Sequence, residues 1–157
     1  MTSTGFIRAS FIIATLATPT LASAQAPDGA RTPGDATKVK IDQLCAPGFE
    51  AAQKPVANWQ RTQALERYGI RPERFDGTLD HLVPVSLGGS NDPDNLWPFH
   101  PQGIFTLEAK TALADKLKAA VCAGTMTLKD AQTAFKKDWT KAYKLQMGGA
   151  LNAGGTR

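Results

Sequence analysis

Apolar residues recur at helical spacing in three parts of the chain. Asn58 to Tyr68 places apolar residues at mixed helical spacings, and Gly69 follows where a helix would end. Thr106 to Cys122 and Ala131 to Lys144 each carry an apolar stripe at successive i+4 steps. The pattern therefore predicts three helices. The stripes are Ala109, Leu113, Leu117 and Val121 in the second helix, and Ala131, Phe135, Trp139 and Tyr143 in the third.

Between the first two predicted helices the pattern becomes strand-like but broken. Leu79 to Val85 is mostly apolar, yet an Asp-His pair and Pro84 interrupt it. Ser86 to Asp94 is dense in Gly, Asn, Asp and Ser, which favour tight turns. Asn95 to Phe99 is apolar again. We predict a short, irregular hairpin leading into the second helix, because a proline argues against a regular central strand.

The two ends of the chain differ from this central part. Residues 1–24 hold one basic residue, a short apolar run from Phe11 to Ala17, and small residues at Ala22-Ser23-Ala24. This is the pattern of a signal peptide, and the run is too short for a membrane span. Residues 25–38 resemble a flexible linker, and the Gly-rich residues 147–157 a disordered tail. We therefore expect one domain, 39–146, in the periplasm or secreted, with no membrane contact after cleavage.

Charge and cysteine content add two expectations. The chain carries 18 basic and 14 acidic residues, a net charge of +4. Without Arg8 the mature chain would carry 17 − 14 = +3, which is compatible with a polyanionic partner. The two cysteines, Cys45 and Cys122, favour one disulfide in an exported chain. Two metal-binding thiolates are the alternative, although neither cysteine has the close partner typical of zinc sites.

Asp80, His81 and Asn95 are the residues that suggest chemistry. An Asp and a His side by side in an apolar stretch are costly to desolvate without partners. The turn-rich segment after them would bring Asn95 back towards His81. That arrangement supplies a carboxylate for a hard cation, an imidazole for proton transfer and an amide to orient the imidazole. The alternative is a surface dipeptide beside a hairpin.

The spacing of these residues resembles that of HNH endonucleases. Asp-His is followed by Pro84 three residues after His81, by Gly88-Gly89, and by Asn-Leu fourteen residues after His81. The chain also resembles exported bacterial HNH-like proteins, over about Cys45 to Trp139. The segments that carry this wider resemblance are Cys45-Ala46-Pro47-Gly48, Tyr68-Gly69, Asn95-Leu96-Trp97-Pro98, Val121-Cys122-Ala123-Gly124, Ala131-Gln132 and Asp138-Trp139.

The resemblance implies an α+β fold of the ββα-metal type, a hairpin with a helix across it and further flanking helices. It implies one divalent cation (Mg, Mn, Ni or Zn) with Asp80 as a ligand, His81 activating the attacking water, and Asn95 holding the loop and helping to orient His81. The expected activity is metal-dependent hydrolysis of DNA, or alternatively RNA, by a monomer. The alternatives are an inactive HNH-fold nucleic-acid-binding or structural protein, and a secreted toxin nuclease.

One part of the family pattern is missing. Gly103 and Ile104 stand where many HNH proteins have the second protein ligand, and neither side chain can coordinate a metal. His100 is the candidate replacement, with a solvated loop histidine as the alternative. Glu108 and Lys110 are further possible site residues. Thr111 and Ala114 stand where related proteins often have acids, which puts metal affinity in doubt.

Lysines and aromatic residues complete the predictions. Lys110, Lys136 and Lys137 are the candidate nucleic-acid contacts. The last two lie on a basic face of the third helix, for which a solvated helix surface is the alternative interpretation. We expect the large aromatic residues to form the core rather than a base-stacking platform. Those residues are Trp97, Phe99, Trp139 and Tyr143.

Overall fold

The computed structural model describes residues 27–152, with side chains as far as Gly148. The predicted signal peptide, 1–24, and the last five residues of the predicted tail lie outside this part. The elements, in chain order, are α1 (Ile41–Leu44), α2 (Asn58–Arg67), β1 (Thr78–His81), β2 (Leu96–Phe99), α3 (Leu107–Cys122) and α4 (Leu128–Asn152), with 3-10 turns at Pro72–Arg74, Val85–Leu87 and Pro93–Asn95. The fold is therefore mixed, α+β. None of the described helices is long and apolar enough to cross a membrane.

The predicted hairpin is present. Strands β1 and β2 pair antiparallel, with His81 opposite Leu96 and Asp80 opposite Trp97. The connection between them is irregular because its backbone folds back tightly on itself. A Cβ on Gly89 would lie 1.8 Å from the Val83 carbonyl oxygen, so only glycine fits there. The connection thereby starts and ends beside the Asp80-His81 pair.

Helices α2, α3 and α4 confirm the three predicted helices. Thr106 caps α3 by accepting a hydrogen bond from Ala109 N. The stripes of α3 and α4 face each other across the core. Of the predicted core aromatics, Trp97, Phe99 and Trp139 are buried and Tyr143 is partly buried. Trp97 and Phe99 meet edge to face with ring centroids 5.2 Å apart, as packed aromatic residues do.

The predicted disulfide is present between Cys45 and Cys122, whose Cα atoms are 5.7 Å apart. It joins the residue after α1 to the last residue of α3. The bond closes a span of 77 residues that contains the whole hairpin.

The described part of the predicted linker, residues 27–38, contacts the hairpin and its connection. Thr32 is fully buried, and its hydroxyl donates to the Leu96 carbonyl oxygen at 3.1 Å. Ala36 forms a β-bridge with Gly89, and Asp35 Oδ2 accepts a hydrogen bond from Ser90. Small polar residues leave no periodic signal, yet their backbone and hydroxyl groups pair with the hairpin and its connection.

In the described part of the predicted tail, α4 continues to Asn152. Glycines weaken a helix by about 1 kcal/mol each relative to alanine. Extending an existing helix nevertheless adds one hydrogen bond per residue without a new nucleation cost. At its other end, the packed part of the chain begins before residue 39, because Thr32, Asp35 and Ala36 contact the hairpin and its connection.

Candidate functional site

A small cleft lies where the end of β1 meets the turn Val85–Leu87 and the first half of α3. Its volume is about 180 Å³. The side chains along it that can ionise are Glu50, Asp80, His81, Lys110 and Asp115. We call this the Asp80–His81 cleft. The hairpin supplies the Asp-His pair, and α3 supplies the lysine that faces it.

Asp80 and Lys110 form a buried ion pair in this cleft. Lys110 Nζ is 2.9 Å from Asp80 Oδ2, and the two side chains are 4% and 17% exposed. Asp80 Oδ2 is buried and accepts no hydrogen bond in the described part of the chain, so the Lys110 charge is what balances it. Burial lowers the pKa of Lys110 from its ordinary 10.5, and the Asp80 carboxylate opposes that shift.

Lys110, predicted both as a nucleic-acid contact and as a possible site residue, is buried and lines the cleft. Its ammonium also donates to the His81 carbonyl oxygen and lies 5.3 Å from the centre of the Phe135 ring. These partners hold the ammonium at the wall of the Asp80–His81 cleft rather than on the open surface. The apolar stripe of α3 did not predict the burial of Lys110, because Lys110 is next to the stripe residue Ala109 and is not part of the stripe, yet both are buried.

The imidazole of His81 is held by Asn91, a residue that sequence reasoning missed. His81 Nε2 is 2.7 Å from Asn91 Oδ1, and Asn91 Nδ2 donates to the Lys54 carbonyl oxygen at 2.8 Å. Because the Lys54 carbonyl requires an N–H, the amide oxygen must face the imidazole. His81 Nε2 therefore carries a proton, and in the neutral ring Nδ1 has the free lone pair. The only signal for Asn91 was its place in the turn-rich segment.

Asn95 holds the connection between the strands from its fully buried position. Its Oδ1 accepts from Val83 N at 2.8 Å, and its Nδ2 donates to the carbonyl oxygens of Val83 and Ser90 at 3.0 and 2.9 Å. Its backbone carbonyl accepts from Leu82 N at 2.7 Å. Asn95 thus fastens the loop that carries Asn91, whereas its side chain forms none of its hydrogen bonds with the imidazole. Any effect of Asn95 on His81 is transmitted through the loop.

The remaining candidates lie elsewhere. His100 is exposed, its Nδ1 is 3.1 Å from the Pro98 carbonyl oxygen, and it follows the end of β2 that is opposite the start of β1. It does not line the cleft that holds Asp80. Glu108 is exposed, and a hydrogen bond from Thr106 lowers its pKa. Lys136 and Lys137 are exposed on α4, outside the cleft.

The side chains present do not fit a resident divalent cation. Within residues 27–152, no three His, Cys, Asp or Glu side chains come together as a metal-binding group. The buried oxygen of Asp80 faces an ammonium, whereas Mg²⁺ and Ca²⁺ require a shell of oxygen ligands. Ala114, where an acid would add a ligand, lines the cleft with a methyl group. What the arrangement supplies is an oriented imidazole beside a neutralised carboxylate.

Comparisons with protein-family models, with curated proteins and with solved structures found no match.

Proposed function

We propose that this chain hydrolyses phosphodiester bonds of DNA, with RNA as the alternative substrate, in the Asp80–His81 cleft. The observation that carries the proposal is the orientation of His81. Its Nε2 is tied to Asn91 Oδ1 at 2.7 Å, so Nδ1 is the basic atom. Imidazole is the side chain best suited to accept a proton near neutral pH. A held imidazole in an open cleft is the arrangement expected of a general base.

In this proposal His81 takes one proton from water while the water oxygen attacks phosphorus. The bond from phosphorus to the leaving oxygen then breaks, and solvent returns a proton to that oxygen. Asn91 keeps the proton on Nε2, and thus the lone pair on Nδ1, throughout the attack. Asn95 keeps the loop that carries Asn91 closed through its hydrogen bonds to Val83 and Ser90.

The resemblance of the Asp-His, Gly-Gly and Asn-Leu spacing to HNH endonucleases supports the proposal. The hairpin of β1 and β2 and the packing of α3 on the turn Val85–Leu87 are compatible with it. We also propose that the protein acts as a monomer in the periplasm or outside the cell. The disulfide is compatible with such an oxidising compartment.

The test is a cleavage assay on purified protein with supercoiled plasmid, linear duplex DNA, single-stranded DNA and RNA. Each substrate is incubated with EDTA and with Mg²⁺, Mn²⁺, Ca²⁺, Ni²⁺ or Zn²⁺ in turn. We expect nicking or linearisation of the plasmid, and we expect His81→Ala to slow it strongly. No cleavage of any substrate under any of these conditions would refute the proposal.

A second candidate function is nucleic-acid binding without cleavage. The Asp80–Lys110 ion pair favours it, because the carboxylate that HNH enzymes would use for metal is already paired at 2.9 Å. The same assay separates the two functions when a binding measurement is added. A protein that retards DNA in a gel but never cuts it would be a binding module.

A further inference from the structure

The Lys110 ammonium is anchored from several sides. It meets Asp80 Oδ2 at 2.9 Å and the His81 carbonyl oxygen, both at the end of β1. It also lies 5.3 Å from the centre of the Phe135 ring on α4, close enough for a cation–π contact. Its hydrogen bond goes to the His81 carbonyl oxygen, its charge is paired with the Asp80 carboxylate, and the ring of Phe135 packs beside it. Lys110 is 3% exposed, so it is part of the interior rather than a mobile surface charge.

A divalent cation at Asp80 Oδ2 would have to displace this ammonium. Mg²⁺ or Mn²⁺ would sit about 2 Å from the carboxylate oxygen, and Nζ already lies 2.9 Å from it. Two positive charges that close would repel strongly in a poorly hydrated site. Moving Nζ away would separate a buried charge from its carboxylate, which is costly.

We propose that Lys110 takes the place of a divalent cation in the Asp80–His81 cleft, and that the cleft works without bound metal. The catalytic half of this inference rests on the function proposed above, and the exclusion of metal does not. Lys110 is a positioning residue here. It neutralises Asp80, which would otherwise repel an anionic phosphate, and it fixes the carbonyl of His81 at the end of β1. The other acids along the cleft are Asp115 and Glu50, the latter paired with Lys118 at 2.9 Å.

Mn²⁺ titration, followed by calorimetry and by electron paramagnetic resonance of the free ion, tests the exclusion of metal. We expect the wild-type protein to show no binding at the cleft up to millimolar Mn²⁺. Lys110→Gln should raise the affinity at least about tenfold, because a neighbouring charge at this range changes binding by more than one decade. The double variant Asp80→Asn/Lys110→Gln is the control and should lose the gained site.

Cleavage assays in the presence of EDTA test the proposal that the cleft works without bound metal. Wild-type activity should persist in EDTA, and Lys110→Gln should become dependent on added Mn²⁺, a change that a purely structural lysine would not cause. Stoichiometric Mn²⁺ binding by the wild type that Asp80→Asn removes would overturn the inference, as would EDTA inhibition that metal reverses. If the wild type cleaves nothing, the proposed function fails while the titration still decides the role of Lys110. If Lys110→Gln does not fold, wild-type titration alone decides.

Discussion

At the scale of single residues, the two histidines of the chain allow a matched comparison. His81 lies in the cleft with its Nε2 on Asn91, whereas His100 is exposed and follows the end of β2 that pairs with the start of β1. We predict that His81→Ala slows cleavage by about 10²–10⁴-fold, the usual contribution of a general base. Folding and DNA affinity should stay near wild type, because His81 is only half-buried. Initial rates of plasmid nicking measure the effect.

His100→Ala is the control for this variant. It removes the same ring from a position that does not line the cleft, so its cleavage rate should match that of the wild type. Equal loss of activity in both variants would mean that the imidazole of His81 has no special role.

Asn91 gives the second prediction at this scale. Asn91→Ala removes the acceptor for His81 Nε2, and one hydrogen bond is worth about 0.5–1.5 kcal/mol. We therefore expect the cleavage rate to fall by about 2- to 10-fold. Asn91→Asp keeps an acceptor for Nε2, so its cleavage rate should exceed that of Asn91→Ala. Its rate should also depend differently on pH from that of the wild type. Wild-type kcat and an unaltered pH profile in Asn91→Ala would show that the contact does not orient the imidazole.

At the scale of elements, α4 contains an internal cap. Asp138 has non-helical backbone angles (φ −173°, ψ 95°), and its Oδ1 accepts from Thr140 N and Lys141 N, both at 3.0 Å. It therefore acts as the N-cap of the second half of α4. We predict that Asp138→Ala lowers the free energy of unfolding by about 0.5–2 kcal/mol. Asp138→Asn keeps a capping oxygen, so its free energy of unfolding should fall much less. Urea denaturation measures both variants.

The same residue predicts a dependence of stability on pH. Burial works to raise the pKa of Asp138, but the hydrogen bonds from Lys141 N, from the Thr140 hydroxyl and from Thr140 N outweigh it, and the pKa is lowered from the ordinary 3.8. Because the pKa is lowered in the folded state, the ionised Asp138 stabilises the protein above pH 3.8. That stabilisation is lost as the pH falls through the lower pKa of the folded state. The stability advantage over Asp138→Asn should thus shrink only in strong acid. If the difference in free energy of unfolding between wild type and Asp138→Asn stays constant from neutral pH into strong acid, this prediction is wrong.

At the scale of the whole molecule, the disulfide ties α1 to the end of α3 across a span of 77 residues. Removing such a bond from a small exported domain costs about 2–5 kcal/mol, because the unfolded chain regains freedom. The double variant Cys45→Ala/Cys122→Ala should therefore unfold at clearly lower denaturant than the oxidised wild type. The wild-type protein treated with reductant is the control, and its unfolding midpoint should approach that of the double variant. An unchanged midpoint would mean that packing alone holds these helices together.

The net charge of the whole chain predicts how the proposed binding to nucleic acid should depend on salt. With a charge of +4 and exposed lysines on α4, we expect affinity for DNA to fall as salt rises from about 50 to 200 mM, because phosphate contacts release counterions. Lys136→Gln/Lys137→Gln should lower the slope of log affinity against log salt by about 1 for each lysine in contact. Affinity that does not change with salt would rule out a phosphate-tracking surface.

The sequence by itself determined helices α2, α3 and α4, the hairpin and one long-range link, whereas the short helix α1 left no signal. Helices α2, α3 and α4 follow from local apolar spacing, with Gly69 marking the end of α2, and the hairpin follows from turn residues between apolar runs. The pairing of Cys45 with Cys122 followed from there being only two cysteines. Each of these signals is contained in a few neighbouring residues or in a simple count.

Only the tertiary structure decided what surrounds the Asp-His pair. Lys110 reaches Asp80 from α3, and Asn91 reaches His81 from a loop without regular structure. Thr32 and Asp35 join the hairpin from a segment with no apolar pattern at all. These contacts depend on where whole elements pack, and a lysine on a helix has the same local pattern whether it faces water or a carboxylate. The same packing that buries the core therefore decides whether Asp80 faces a metal ion or the Lys110 ammonium.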